Sequence, residues 1–392
     1  MLVTALVLGL TTTGLAGCTA SPPAPLGTID VPEPPPPSAP QLTALLESRA
    51  AAVLSGSSGA VAATEVVGAV SPVRTAATSL PLAQWSYADP VVVGSRDGLV
   101  AVRAALTYRL EADAGPVTVP VRLGLRSDGA RWLVASETTD GSGSALWELG
   151  DLRSEPAAGV LVVAVGGSPE QAQALAGEAA RAQRAVAGLW PSADPGSPVL
   201  VVVPGTDDVA RGLGRDAASL DGVGAVTVTG KRVWVARSVL EGLTPEERQV
   251  LLRHELLHAA SGTPGRSGIP LWLSEGVAEQ AGWLAVDAGP EVWARDLAEA
   301  VARDGVTRGL PSDGSFSGGG MRAAYAGAHL AADLIDGAGP GSAREVLRRT
   351  LDGDDVDVAL RAVTGEGLDG LVARWRERAG SLAGQAPGTI AP

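Results

Sequence analysis

"LTPEERQVLLRHELLHAASG", residues 243–262, holds two of the three histidines in the chain and reads as one helix with both ends marked. Thr244 is placed to cap it, and Pro245 falls at the first helical position, where a missing N–H costs nothing. Glu247 completes a capping box and Gly262 ends the helix. His254 and His258 are four residues apart, so they lie one turn apart on one face and both imidazoles can reach one ion. Glu255 is rotated about 100° around the axis, beside such an ion rather than on it. This H-E-x-x-H arrangement supplies two zinc ligands and a carboxylate placed to take a proton from an activated water. Leu251, Leu252, Leu256 and Leu257 form the apolar stripe that seats the helix, and they leave the histidine face free. With histidine so rare here, a chance match is on the order of one in a thousand.

A catalytic zinc takes three protein ligands and keeps a position open for water. The next helix downstream is "PLWLSEGVAEQAGWLA" (270–285), reached through the loop "ASGTPGRSGIP". Its segment "WLSEGVAE" (272–279) resembles the W-L-x-E-G-x-A-E segment of the gluzincin metallopeptidases, the HExxH–Glu group that includes the peptidase MA-like proteins. The resemblance implies that Glu275 is the third ligand. It also implies that Glu279, one turn on, hydrogen-bonds a ligand histidine, His254, from outside. A ligand imidazole needs such a partner on its other nitrogen to fix tautomer and orientation. The reverse assignment, with Glu279 as ligand and Glu275 as its support, stays open.

Further on, "MRAAYAGAHLAADLID" (321–336) follows a glycine-rich "SGGG" and is similar to the family's Tyr-x-x-G segment. That implies Tyr325 as the hydrogen-bond donor to the oxyanion of a tetrahedral intermediate. Gly327 stands two positions on rather than three. His329, one turn past Tyr325, is the alternative donor, as a histidine is in thermolysin-like enzymes; it is otherwise a core residue. No G-x-M-E-N segment is found, which argues for an endopeptidase rather than an aminopeptidase. The strand "RVWVAR" (232–237), just before the motif helix, is expected at a sheet edge, where it would hold an extended peptide by backbone pairing.

Working outward, "GVLVVAV" (159–165) and "PVLVVVP" (198–204) read as buried strands, and "GAVTVTG" with "KRVWVAR" (224–237) as a hairpin. Residues 168–190 read as a helix capped by Ser168 with Pro169 following. From Thr244 on the chain reads as almost entirely helical. Strands first and helices after describe an α+β domain over 156–381, which the resemblance makes zincin-like, with a flexible tail at 382–392. A smaller α+β domain is expected over 41–152. It consists of a helix at 41–55 (Leu42, Leu45, Leu46, Val53) and strands at 84–93, 99–110, 117–126 and 131–136. Asp97-Gly98 and Asp128-Gly129 stand at its turns. Its architecture resembles the cystatin-like and NTF2-like cone domains.

The chain has 392 residues, a net charge of −13 and one lysine, Lys231. Without a basic run it is a poor nucleic-acid binder, because phosphate contacts need clustered Lys and Arg. The lone cysteine, Cys18, closes "LAGC" after the apolar stretch 1–17. That resembles the lipobox of bacterial lipoproteins and implies a signal peptide, a lipidated Cys18 and an extracytoplasmic, membrane-anchored protein. The usual positive n-region is missing. The proline-rich stretch up to residue 40 reads as a tether, on the order of 60 Å if polyproline-like. The expectation is therefore a lipid-anchored zinc metallopeptidase with one zinc per chain and a peptide or protein substrate. The alternative is a non-catalytic zinc-binding surface module.

Overall fold

The apolar spacing of the first folded segment decides its packing. In the computed structural model, which describes residues 35–383 apart from 142, 192–195, 221 and 285, helix α1 (Ala39–Leu54) buries Leu42, Leu45, Leu46 and Val53 along one stripe. The segment 1–17, Cys18, most of the tether and the tail beyond 383 lie outside the described residues. Two short helices follow, α2 (Ser58–Ala62) and α3 (Pro72–Ser79). Then comes an antiparallel meander of β1 (Leu82–Arg96), β2 (Leu99–Leu110), β3 (Val117–Ser127) and β4 (Trp132–Thr139), in that order across the sheet. Asp97 and Gly98 both take positive φ, 52° and 70°, the backbone a two-residue hairpin turn requires. Asp128 accepts hydrogen bonds from the N–H groups of Ala130 and Arg131 and so closes the second turn. Along β2, Val100, Val102, Ala104, Leu106, Tyr108 and Leu110 are all buried, as strict alternation requires.

Below this layer lies a second, mixed sheet. Its strands are β5 (Leu152–Ala157), β6 (Val160–Val165), β7 (Val199–Val203), β8 (Ala225–Val228) and β9 (Arg232–Ala236), in the order β5-β6-β7-β9-β8. The inner strands β6, β7 and β9 run parallel, and both edge strands are antiparallel to their neighbours. Helix α4 (Pro169–Leu189) makes the crossover from β6 to β7, and α5 (Thr206–Leu213) follows β7. Every residue of β6, β7 and β9 is buried, because both faces are covered. Val160, Val162, Ala164, Leu200 and Val202 pack with the helical side. Leu161, Val163, Val165, Val199, Val201 and Val203 share a core with α1 and the meander. Residues 153–155, left between the two expected domains, lie in β5, where Pro156 is tolerated because the strand is an edge.

One expectation is corrected. β9 is an inner strand between β7 and β8, and the edge is β8. The apolar "VWVA" needs cover on both faces, whereas Ala225–Val228 is only half-buried.

From residue 237 on, all regular elements among the described residues are helical. They are α6 (Arg237–Gly242), α7 (Pro245–Ser261), α8 (Leu271–Trp283), α9 (Pro290–Trp293), α10 (Arg295–Asp304), α11 (Met321–Asp336), α12 (Ser342–Leu351), α13 (Val356–Thr364) and α14 (Leu368–Ala383), with short 3-10 turns between them. No described helix is long and apolar enough to cross a membrane. α8 lies between α7 and α11, and glycines set how close. A Cβ on Gly276 would run into the carbonyl of Ala328 on α11, and one on Gly282 would come within 2.9 Å of the Val250 oxygen on α7. The architecture is thus α+β, with two sheets and a helical layer.

Two buried ion networks went unforeseen. Arg49, fully buried, donates to Glu137 at 2.6 Å and to Glu65 at 3.0 Å, and Tyr87 donates to Glu137 at 2.8 Å. Arg232 joins β9 to the upper layer through Asp113 and the Tyr108 hydroxyl, both at 2.7 Å.

Candidate metal centre

α7 holds its register from the first residue. Thr244 Oγ1 accepts from the Glu247 N–H at 3.2 Å, and Glu247 accepts from the Thr244 N–H at 2.8 Å. Gly262, at φ 68°, ends the helix. Leu252, Leu256 and Leu257 are buried in the core beneath the second sheet, while Leu251, half-buried, packs against that core and also lines a cavity. Arg248 ties α7 to α4 through a paired contact with Glu178 at 3.0 and 3.1 Å. The histidine face is thereby turned toward α8.

Three donor atoms meet there. His254 Nε2 and His258 Nε2 are 3.2 Å apart, and Glu275 Oε2 lies 3.2 Å from the first and 3.1 Å from the second. These residues form a cluster able to hold a metal ion. The spacing fits one: a tetrahedral ion about 2.0 Å from each ligand requires ligand atoms about 3.3 Å apart. Proton placement fits too. Glu279 Oε1 sits 3.0 Å from His254 Nδ1 and, as a carboxylate, can only accept, so Nδ1 carries a proton and Nε2 is the nitrogen turned to the cluster, where it can take a metal ion or a second proton. His258 Nδ1 faces the Thr263 hydroxyl at 3.0 Å, a group that can accept its proton. Two imidazole nitrogens and a carboxylate oxygen meeting at one spot need positive charge between them, supplied by a proton or by a metal ion.

Glu279 also accepts from Trp283 Nε1 at 3.0 Å. Burial would raise the Glu279 pKa, but the hydrogen bond and charge of His254 lower it. In Glu275 the same contest ends well below the usual carboxylate range, because both histidines oppose burial. Burial works against the charged form of His254, yet the hydrogen bonds and charges of Glu275 and Glu279 lift its pKa well above the usual imidazole value. Of the two carboxylates weighed as third ligand, Glu275 reaches the Nε2 nitrogens and Glu279 reaches the far side of His254.

Glu255 is buried outside the donor triad. Thr227 Oγ1, on the edge strand β8, donates to its Oε2 at 2.5 Å and lies 3.1 Å from its main-chain oxygen. Glu255, the three donor residues, Thr227 and Tyr325 all line one cavity of about 310 Å³. The Tyr325 ring is edge-on to His254 with centroids 5.8 Å apart, and Phe316 also packs against it at 5.3 Å. Burial first, then the carboxylates of Glu275, Glu255 and Glu279, push the Tyr325 phenol far above its usual pKa, so it stays a donor. A larger cavity of about 980 Å³ meets the first at Leu220, Val223 and His254.

His329 is not brought to this cavity. It stacks on Trp293 with centroids 4.2 Å apart, and its Nε2 is 3.5 Å from Asp333. Helical spacing put it on the Tyr325 face, but packing of α10 and Trp293 over that part of α11 closes it off. Thr227 and Thr263 are the residues that sequence reasoning missed. Each is an isolated hydroxyl whose partner lies in another element or across a turn, which leaves no spacing pattern to read. No family model matches the chain, and neither does any curated protein.

Proposed function

We propose that the chain is a zinc metallopeptidase of the gluzincin type, with a zincin-like fold below an NTF2-like or cystatin-like layer. The observation that carries this is the meeting of His254 Nε2, His258 Nε2 and Glu275 Oε2 within 3.2 Å of one another, in a cavity that Glu255 and Tyr325 also line. Two imidazoles and one carboxylate are a ligand set suited to zinc, and a cavity beside them leaves room for water and substrate. A zinc ion held by these residues supplies Lewis acidity, making a water nucleophilic at neutral pH and polarising the carbonyl it attacks.

The chain's own groups do the rest. Glu255 takes the proton of the attacking water and delivers it to the leaving amine. Thr227 holds the Glu255 carboxylate in the orientation for that transfer. The Tyr325 hydroxyl, kept protonated, donates to the oxygen on which negative charge develops. Glu279 and Thr263 hold the two imidazoles in the tautomer that presents Nε2. The free edge of β8, beside Glu255, pairs with an extended peptide backbone, which suits an endopeptidase. The lipobox at Cys18 makes this an extracytoplasmic protein tied to a membrane by lipid, and a net charge of −13 leaves nucleic acid out as a partner.

The test is metal content and hydrolysis together. Purified protein dialysed against zinc should hold about one ion per chain, and Glu275→Ala much less. Glu255→Gln should keep its zinc and lose peptide hydrolysis by a factor of a thousand or more, an order-of-magnitude expectation for loss of the general base. A Glu255→Gln protein as active as the wild type would end this reading. A folded wild type that takes up no zinc would end it as well.

A further inference from the structure

The charge of the cleft runs against the charge of the molecule. The chain carries −13, yet Arg215 and Arg266 line the cavity at the metal centre. Among the described residues that line it, the carboxylates are Glu255 and Glu275. Under the proposed function Glu255, Glu275 and the Glu279 carboxylate behind His254 carry three negative charges against the zinc dication and the two guanidiniums, which leaves the site one positive charge in surplus. Neither guanidinium has an ion-pair partner among the described residues. Asp216, next to Arg215, accepts from the Ala218 N–H.

Some exposed arginines elsewhere are held by carboxylates: Arg103 and Arg122 share Asp140, and Arg348 lies between Glu345 and Asp352. Others, such as Arg126 and Arg308, have none among the described residues, so what sets Arg215 and Arg266 apart is their place in the cavity beside the metal centre. The larger cavity is different again. Arg295 and Arg322 line it, but Glu246, Glu247, Glu279 and Asp296 line the same space, and Val250, Leu251, Trp283, Val286 and Val292 make apolar walls.

A molecule of net charge −13 repels an acidic substrate at long range, so a cleft that accepts one needs local cations to offset that field. Guanidiniums suit the purpose, because their planar fork matches a carboxylate in a two-point contact. We propose that the cleft selects acidic peptides: a Glu or Asp side chain close to the scissile bond sits against Arg215 and Arg266, and an apolar side chain fills the larger cavity. This rests on the peptidase reading for the site but is separable from it by measuring binding.

The experiment uses the full-length, zinc-loaded Glu255→Gln protein and short rhodamine-labelled peptides of one apolar scaffold, with Glu, Gln or Lys placed at each position in turn. Fluorescence anisotropy reads the affinity. For at least one position the Glu peptide should bind about tenfold more tightly than its Gln counterpart at low salt, roughly fivefold being the upper end for each exposed pair. The gap should narrow at about 0.5 M salt, where screening is nearly complete. It should vanish when Arg215→Gln and Arg266→Gln are added. Arg215→Glu with Arg266→Glu should turn the preference toward Lys peptides. Equal binding of Glu and Gln peptides at every position overturns the proposal, as does a Glu preference that survives the double Gln variant. Hydrolysis by the protein with Glu255 intact is scored separately. Selective binding without turnover upholds the cleft's selectivity while ending the peptidase reading. Turnover without selectivity does the reverse.

Discussion

Gly276→Ala tests whether the spacing of α8 and α11 builds the site. The added methyl would lie 2.9 Å from the Ala328 carbonyl carbon and 3.2 Å from the Ala332 Cβ, and would meet the Ala328 oxygen more closely still. Ordinary carbon contacts are about 3.5–4.0 Å, so the two helices must part by roughly 0.6–1 Å. Overpacking of this kind costs about 1–3 kcal/mol. Replacing Gly by Ala inside a helix returns about 1 kcal/mol. The net loss is therefore about 1 kcal/mol, a fall of a few degrees in Tm for a chain of this length. The larger effect is local. Glu275 is the residue before Gly276 on α8, and Tyr325 lies one turn before Ala328 on α11. Metal ligands tolerate about 0.2 Å of displacement. A shift of 0.6 Å or more should weaken zinc affinity roughly 10- to 100-fold, an effect comparable with losing a supporting contact. Competition with a chromophoric chelator measures that affinity, and calorimetry the Tm. A Gly276→Ala protein that matches the wild type in both would refute the claim that this close approach places Glu275.

Three further outcomes are expected. Thr227→Val removes the hydroxyl on Glu255 while keeping the strand's shape, so zinc content should be unchanged and kcat for peptide hydrolysis should drop about tenfold or more with little change in KM. Arg49→Ala strands Glu137 without its cation and leaves Glu65 with Arg74 alone, and should cost about 3–5 kcal/mol in denaturant unfolding. In protein stripped of metal by chelation, the folded pKa of Glu275 lies below its unfolded value of 4.5, so its stabilising contribution is complete above about pH 4.5 and fades as acid approaches the folded value. The folded pKa of His254 lies above 6.5, so its contribution is complete below about pH 6.5 and fades as the pH rises through the folded value. Stability of the stripped protein should therefore peak between these limits, and adding zinc should remove the loss on the alkaline side; thermal melts across pH check both.

Local marks carried much of this fold into view. α7 begins at Pro245 and ends at Gly262 because caps act on neighbouring residues, and those neighbours are visible in the sequence. The same holds for Ser168 at the start of α4 and for the Asp97-Gly98 turn. β6 and β7 were legible because burial on both faces leaves an unbroken apolar run. What stayed hidden depends on partners distant in the chain. The Arg49–Glu137 pair spans 88 residues and Arg232–Asp113 spans 119, and no local pattern announces either. Strand order within the second sheet is likewise a long-range property, so β9 passed for an edge. His329 shares the Tyr325 face by helical spacing, but spacing does not show that Trp293 stacks on it.

The apolar face formed by Leu161, Val163, Val165, Val199, Val201 and Val203 has a further consequence. Its cover is the α1–β4 layer, so a protease that severed that layer from the helices carrying His254 and Glu275 would leave a broad greasy surface facing water, and the fragment would aggregate rather than work. Under the proposed function, a soluble and intact site would be shed from a lipid anchor by cuts ahead of α1. The upper layer thus travels with the half that carries His254 and Glu275 wherever that half goes.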